Sequence, residues 1–129
     1  MFPREDIMTT ETTDLHSQLA QFIGTERYHF NPLYPWLNYT DGVQYFAQHA
    51  GGGAYWFLDI VGTEVQPLTR RRSFLTVDLM VHDTAKADIL VTDGNDKVLH
   101  RRHVDWTDCP QGVYRFFLQR GVLMLTSEY

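Results

Sequence analysis

Two hydrophobic periods divide the chain, a helical one in the first half and an alternating one in the second. Leu15, Leu19, Phe22 and Ile23 stand at i, i+4, i+7 and i+8, the spacing of one helix face. Thr13 or Asp14 can cap that helix, and Gly24 can close it. Tyr28 to Phe30 reads as a short strand, and Asn31-Pro32 and Tyr34-Pro35 then deny regular structure. Thr40 or Asp41 offers the next cap, followed by Val43, Phe46, Ala47 and Ala50 at helical spacing, until Gly51-Gly52-Gly53 breaks the run. A further helix from Ala54 carries Tyr55, Trp56, Phe57, Leu58, Ile60 and Val61. It leaves so little polar surface that it is expected to be the buried central helix, ending at Pro67.

Beyond Arg70-Arg71-Arg72 the period drops to two. Leu75, Val77, Leu79 and Val81 alternate with Thr76, Asp78, Met80 and His82, the pattern of a strand buried on one face. Ala87, Ile89 and Val91 continue it, and Asp93-Gly94-Asn95-Asp96 is a hairpin turn leading to a return strand from Val98 to Trp106. Val113 to Leu118 and Val122 to Leu125 add two strands around Gly121. Helices followed by an antiparallel meander give an α+β class, with N-terminal helices packed on one face of a mostly antiparallel sheet of four to six strands. Residues 1–12 lack an apolar period and read as a flexible tail, with Met8 an alternative start; 13–129 read as a single domain.

Composition narrows the class. An apolar share of 43% over 129 residues supports one real core. The net charge of −5 argues against general nucleic-acid binding, which needs a basic face. A lone cysteine, Cys109, cannot form an internal disulfide, and no apolar run reaches the roughly 18 residues of a membrane span. The opening residues lack a signal-peptide plan, so a cytoplasmic location without membrane contact is expected.

Several strings, taken in order, give the chain a family resemblance. They are Phe22-Ile23-Gly24-Thr25-Glu26, Tyr39-Thr40-Asp41-Gly42-Val43, Ala54-Tyr55-Trp56-Phe57-Leu58-Asp59, Asp93-Gly94-Asn95, Thr107-Asp108-Cys109-Pro110 and Ser127-Glu128-Tyr129. Spanning about residues 22–129, they resemble an uncharacterised family of small bacterial and phage-associated proteins, domain of unknown function 6876. The chain departs from the family pattern in its three glycines before Ala54 and in lacking a tryptophan between Phe74 and Leu79. The resemblance implies a fold and a mobile-element setting; it implies no activity.

The candidate chemistry is sparse. The six histidines show no metal-ligand spacing; His100 and His103, three apart on a strand, face opposite ways. A metal site from His82, Asp83 and a sheet neighbour is outweighed by ordinary surface histidines. Cys109 reads as an apolar filler rather than a nucleophile. Asp41 opens one helix and Asp59 lies on the most apolar one; they read first as a cap and as the partner of an arginine or backbone donor, and second as a carboxylate pair for acid–base work. Seven arginines, out of eleven basic residues in all, lie in the sheet half. Among them Arg70, Arg71, Arg72 and Arg101 are expected to form an outer-face cluster for an acidic protein surface or phosphates. Strand parity turns Arg102 to the more apolar side.

These features point to a small non-catalytic accessory protein that binds another macromolecule, an inhibitor or modulator carried on a phage or plasmid. It needs no cofactor or metal, its partner is another protein, and a homo-oligomer is possible. The alternatives are a small enzyme using Asp41, Asp59 and a histidine, or a nucleic-acid or nucleotide binder using the arginines.

Overall fold

The computed structural model describes residues 14–129; the tail read over residues 1–12 lies outside them. One seven-stranded sheet organises the chain. The strands are β1 (Tyr28–Phe30), β2 (Asn38–Thr40), β3 (Phe74–Val81), β4 (Ala87–Thr92), β5 (Val98–Val104), β6 (Gly112–Gln119) and β7 (Val122–Leu125). They lie in the order β1-β2-β7-β6-β3-β4-β5, antiparallel except for the β2–β7 pair. The α+β class therefore holds, but four to six strands becomes seven. The addition is the three-residue β2, too short to show an alternation, which pairs with β1 on one side and with Val122 and Leu123 of β7 on the other. The second half is also not a simple meander: β6 returns to pair with β3, not β5.

Alternation decides the two faces. Leu75, Val77, Leu79, Ile89, Val91, Phe116, Leu118 and Leu123 are fully buried beneath the helices. Helix α1 is described over residues 14–19, α2 spans Asp41–His49 and α3 spans Tyr55–Ile60. Phe46 of α2 and Phe57 of α3 meet Phe116 with ring centroids 5.1 and 4.8 Å apart. Leu58 is fully buried and Trp56 packs against the same core. Helix α1 stops earlier than its spacing suggests: Phe22 packs on the core, but Ile23 is 84% exposed. His16 of α1 donates from Nε2 to Val113 O, covering the stretch of β6 that β7 is too short to pair.

Pro67 does not end the helical run. After α3 the chain makes a π turn over Val61–Val65 and a 3-10 helix over Gln66–Arg71. Pro67 sits in the first turn of that 3-10 helix, where a missing N–H is tolerated.

The ends are tied together around the start of α2. Thr40 is its N-cap, its hydroxyl accepting from Val43 N. The terminal 3-10 turn, Thr126–Glu128, lays the Glu128 carboxylate over the same helix end. There it accepts from Gly42 N (3.1 Å), Leu125 N (3.0 Å) and the Thr40 hydroxyl. A Cβ on Gly42 would stand 2.5 Å from Leu125 Cδ1 and 2.7 Å from Glu128 Oε1, so the closure needs glycine there. A second tie joins the Gly51-Gly52 turn to Asp108, whose carboxylate accepts from Gly52 N at 2.7 Å. Gly51, at φ +61°, leaves no room for a side chain against the Asp108 backbone.

Candidate functional site

Each polar residue singled out from the sequence has a definite place. Asp41 is the first residue of α2 rather than its cap. Its carboxylate accepts from His29 Nε2 (2.8 Å) and Glu26 N (3.0 Å), and these two donors hold its carboxyl below the usual carboxylate range. Asp59 lies on the exposed side of α3 and accepts from the Tyr34 hydroxyl at 2.7 Å. Burial, with Asp59 second, raises the Tyr34 pKa. The two carboxylates thus anchor different loops to different helices. Cys109 is buried, and desolvation pushes its thiol up to about 12, which fits a filler and not a thiolate nucleophile.

Four of the histidines, His29, His82, His100 and His103, join carboxylates. His82 Nε2 and His103 Nδ1 flank Asp88 at 2.7 and 2.9 Å, and both lower its pKa. His100 and Arg102 share Glu64, at 3.0 and 2.9 Å. His100 and His103 do face opposite ways, opposite Val91 and Asp88 in the register. Among the described residues no group of three or more His, Cys, Asp or Glu could hold a metal ion.

The arginines divide between the two sides of the sheet. Arg102, opposite Ile89, turns to the helical side and reaches Glu64. Arg101, opposite Leu90, turns to the outer face. Arg115 forms a two-pronged pair with Asp78 on that face, Nε–Oδ1 2.7 Å and Nη2–Oδ2 2.9 Å. Arg70 and Arg71 end the 3-10 helix, Arg72 caps it in extended form, and the three line a hollow of about 340 Å³ with Leu68 and Leu99. Arg101 does not line it. Of the three consecutive arginines, Arg72 alone leads toward β3 in extended form.

A second hollow, of about 390 Å³, lies against the first and shares Pro67 and Arg70 with it. Its walls include Trp36, Thr63 and Gln66, none of which stood out in the sequence. The π turn explains Trp36. Gln66 N bonds back to Val61 O, so the next carbonyl in that pattern, Gly62 O, would need residue 67 as its donor. Pro67 has no N–H. The indole Nε1 of Trp36 donates to Gly62 O instead, at 2.7 Å, and the ring stays 52% exposed. Gln66 Oε1 is buried and has no hydrogen-bond partner. A proline at the end of a dense apolar helix was the one signal in the sequence that something irregular happens here.

The outer face of the sheet carries no helix among the described residues. Thr76 and Asp78 of β3 are sunk between Phe117, Arg115, Leu90 and Thr92 of the neighbouring strands. Phe74, Phe117 and Tyr129 form an aromatic group with centroids 5.0–5.7 Å apart, and Val113 and Tyr129 are 59% and 70% exposed.

No helix among the described residues is long and apolar enough to cross a membrane. No curated protein and no solved structure matches the chain. A family model covering residues 13–129 does match, and by it the chain belongs to a family of unknown function, DUF6876.

Proposed function

We propose that the protein is a non-catalytic accessory protein whose outer sheet face docks another protein. The carrying observation is the uncovered face itself. Among the described residues helices roof the seven strands on one side only, and the other side shows an aromatic group at Phe74, Phe117 and Tyr129 and, across the Arg115–Asp78 pair, the apolar side chains of Val113 and Met80. Half-solvated antiparallel sheets usually turn a polar face to water, whereas exposed aromatic and aliphatic side chains interleaved with charges such as Arg101, Arg115 and Asp88 suit a protein interface. The candidate acid–base carboxylates, Asp41 and Asp59, are engaged in separate loop-anchoring bonds, which favours binding over catalysis. In this reading the chain acts as an inhibitor or modulator of its partner, a role suited to a small protein carried by a phage or plasmid.

The test compares the wild type with a Val113→Glu/Tyr129→Glu variant of matched melting temperature. Light scattering follows self-association, and affinity capture from the native host follows other partners. A complex that the wild type forms and the variant loses supports the face. Identical complexes for both proteins would overturn it.

A further inference from the structure

We propose that the Trp36–Gln66 hollow and the arginine hollow beside it form one site for a heteroaromatic ring carrying a phosphate, with a nucleoside monophosphate as its simplest ligand. The two hollows, about 390 and 340 Å³, meet at Pro67 and Arg70, and each falls in the size range of small-molecule sites, roughly 300–1,000 Å³. One end presents a flat, half-exposed indole whose edge is fixed by the bond to Gly62 O, a platform on which a base stacks without first ordering the side chain. Beside it Gln66 Oε1 is a buried acceptor with no donor. The terminal torsion of a glutamine is soft, so a modest rotation brings that oxygen to a ring amino group or ring N–H and relieves an unpaired carbonyl.

The other end is cationic. Among the described residues Arg70 and Arg71 form no ion pair, and Arg72 has only a long contact of 3.9 Å to Asp93. Three neighbouring guanidinium groups on a protein of net charge −5 are a local exception to its field, and their planar donors suit phosphate oxygens. Each competing occupant leaves part of the site unused. Inorganic phosphate has nothing to place on Trp36, and an acidic peptide without an aromatic side chain leaves the same indole face bare. The site is separate from the outer sheet face and stands whether or not that face docks a partner.

The experiment is calorimetric titration of the full chain with AMP, GMP, CMP and UMP, with the matching nucleosides and inorganic phosphate as half-ligands. At least one mononucleotide should bind saturably and about tenfold or more tighter than its nucleoside or phosphate alone. Arg70→Gln/Arg71→Gln should weaken the mononucleotide about tenfold or more and leave the nucleoside unchanged. Trp36→Leu should weaken both. Should that variant lose stability, Gln66→Leu is the second probe, lowering affinity for the base with the arginines intact. A 5′-phosphorylated trinucleotide that binds more tightly than the monomer, with the same sensitivities, would place the ring and phosphate at a strand end. Absence of binding by all four mononucleotides at millimolar concentration would overturn the proposal. So would phosphate binding as tight as nucleotide binding and indifferent to Trp36 and Gln66.

Discussion

Replacing Glu128 tests whether the last residues close the fold. In Glu128→Ala three donors lose their acceptor: Gly42 N, Leu125 N and the Thr40 hydroxyl. Hydrogen bonds to a charged group contribute about 1.5–3 kcal/mol each. The carboxylate is only half-buried, so water reaches part of the vacated site and the three do not add in full. A net loss of about 2–4 kcal/mol follows, including the favourable charge at the α2 N-terminus, about 0.3–1 kcal/mol. At about 3–4 °C per kcal/mol for a chain of this size, the melting temperature should fall by roughly 6–16 °C. Glu128→Gln keeps the shape and one acceptor oxygen and should cost about half as much. Gly42→Ala supplies a cross-check. Its new Cβ would meet Leu125 Cδ1 at 2.5 Å and Glu128 Oε1 at 2.7 Å, so alone it should destabilise despite the better helix propensity of alanine. With Glu128→Ala already present one obstacle is gone, and the second substitution should cost at least about 0.5 kcal/mol less. Urea denaturation of the four proteins measures the cycle. A Glu128→Ala protein that melts with the wild type, or strict additivity with Gly42→Ala, would refute the closure.

Three further outcomes follow from the polar contacts. His29 and the Glu26 amide depress the Asp41 pKa, so that group's stabilisation is complete above the unfolded carboxylate value near 3.9 and is lost as pH falls through the folded one. Wild type should therefore lose stability below about pH 4 more steeply than Asp41→Asn, and equal slopes in acid denaturation would count against the contact. The Cys109 thiol, pushed up to about 12 by burial, should resist a disulfide reagent at mildly alkaline pH until denaturant is added; fast labelling of the native protein would contradict its placement. Tyr34→Phe removes the bond to Asp59 but keeps the buried ring, at a cost of about 1–2 kcal/mol, while Asp59→Asn, which keeps an acceptor, should cost less; the reverse order in denaturant would rule out the pairing.

The strands of the second half were legible because each spans enough residues to show its period against one apolar layer. Leu75, Val77, Leu79 and Val81 cannot reach the helices from any other register. The Asp93–Asp96 turn and the core helix from Tyr55 were legible for the same local reason. What was not legible is non-local. Asn38–Thr40 is a strand because it is held between Tyr28–Phe30 on one side and Val122 and Leu123 on the other. Ile23 fits a helical stripe by spacing, but the helix has ended before it. The four arginines could not be sorted by charge alone: a 3-10 helix carries Arg70 and Arg71 to one side of the sheet and strand parity sends Arg101 to the other. The Trp36–Gln66 hollow depends on a π turn, and one extra residue in a turn leaves no mark in an apolar run except, here, the proline after it.

The strings that carry the family resemblance meet in space, and what they do there is close the fold. Thr25 and Glu26 bond to Asp41, Thr40 and Gly42 bond to Glu128, Asp108 bonds to the turn before Ala54, and Thr107 N bonds to Ala85 O. The Tyr55–Asp59 string supplies the core helix, and Asp93-Gly94-Asn95 turns a hairpin. Such positions are constrained by backbone approach and by buried donors, and they specify the scaffold whatever it binds. Trp36, Gln66 and the three arginines lie outside every one of those strings, as do Phe74, Val113 and Phe117 on the outer face, whereas Tyr129 of that face belongs to the last string. A scaffold closed by one set of residues leaves the other set free to vary with the ligand or partner. Chains that share the closing strings are therefore expected to share this sheet and its ties, while the chemistry of the hollow and of the bare face is set residue by residue.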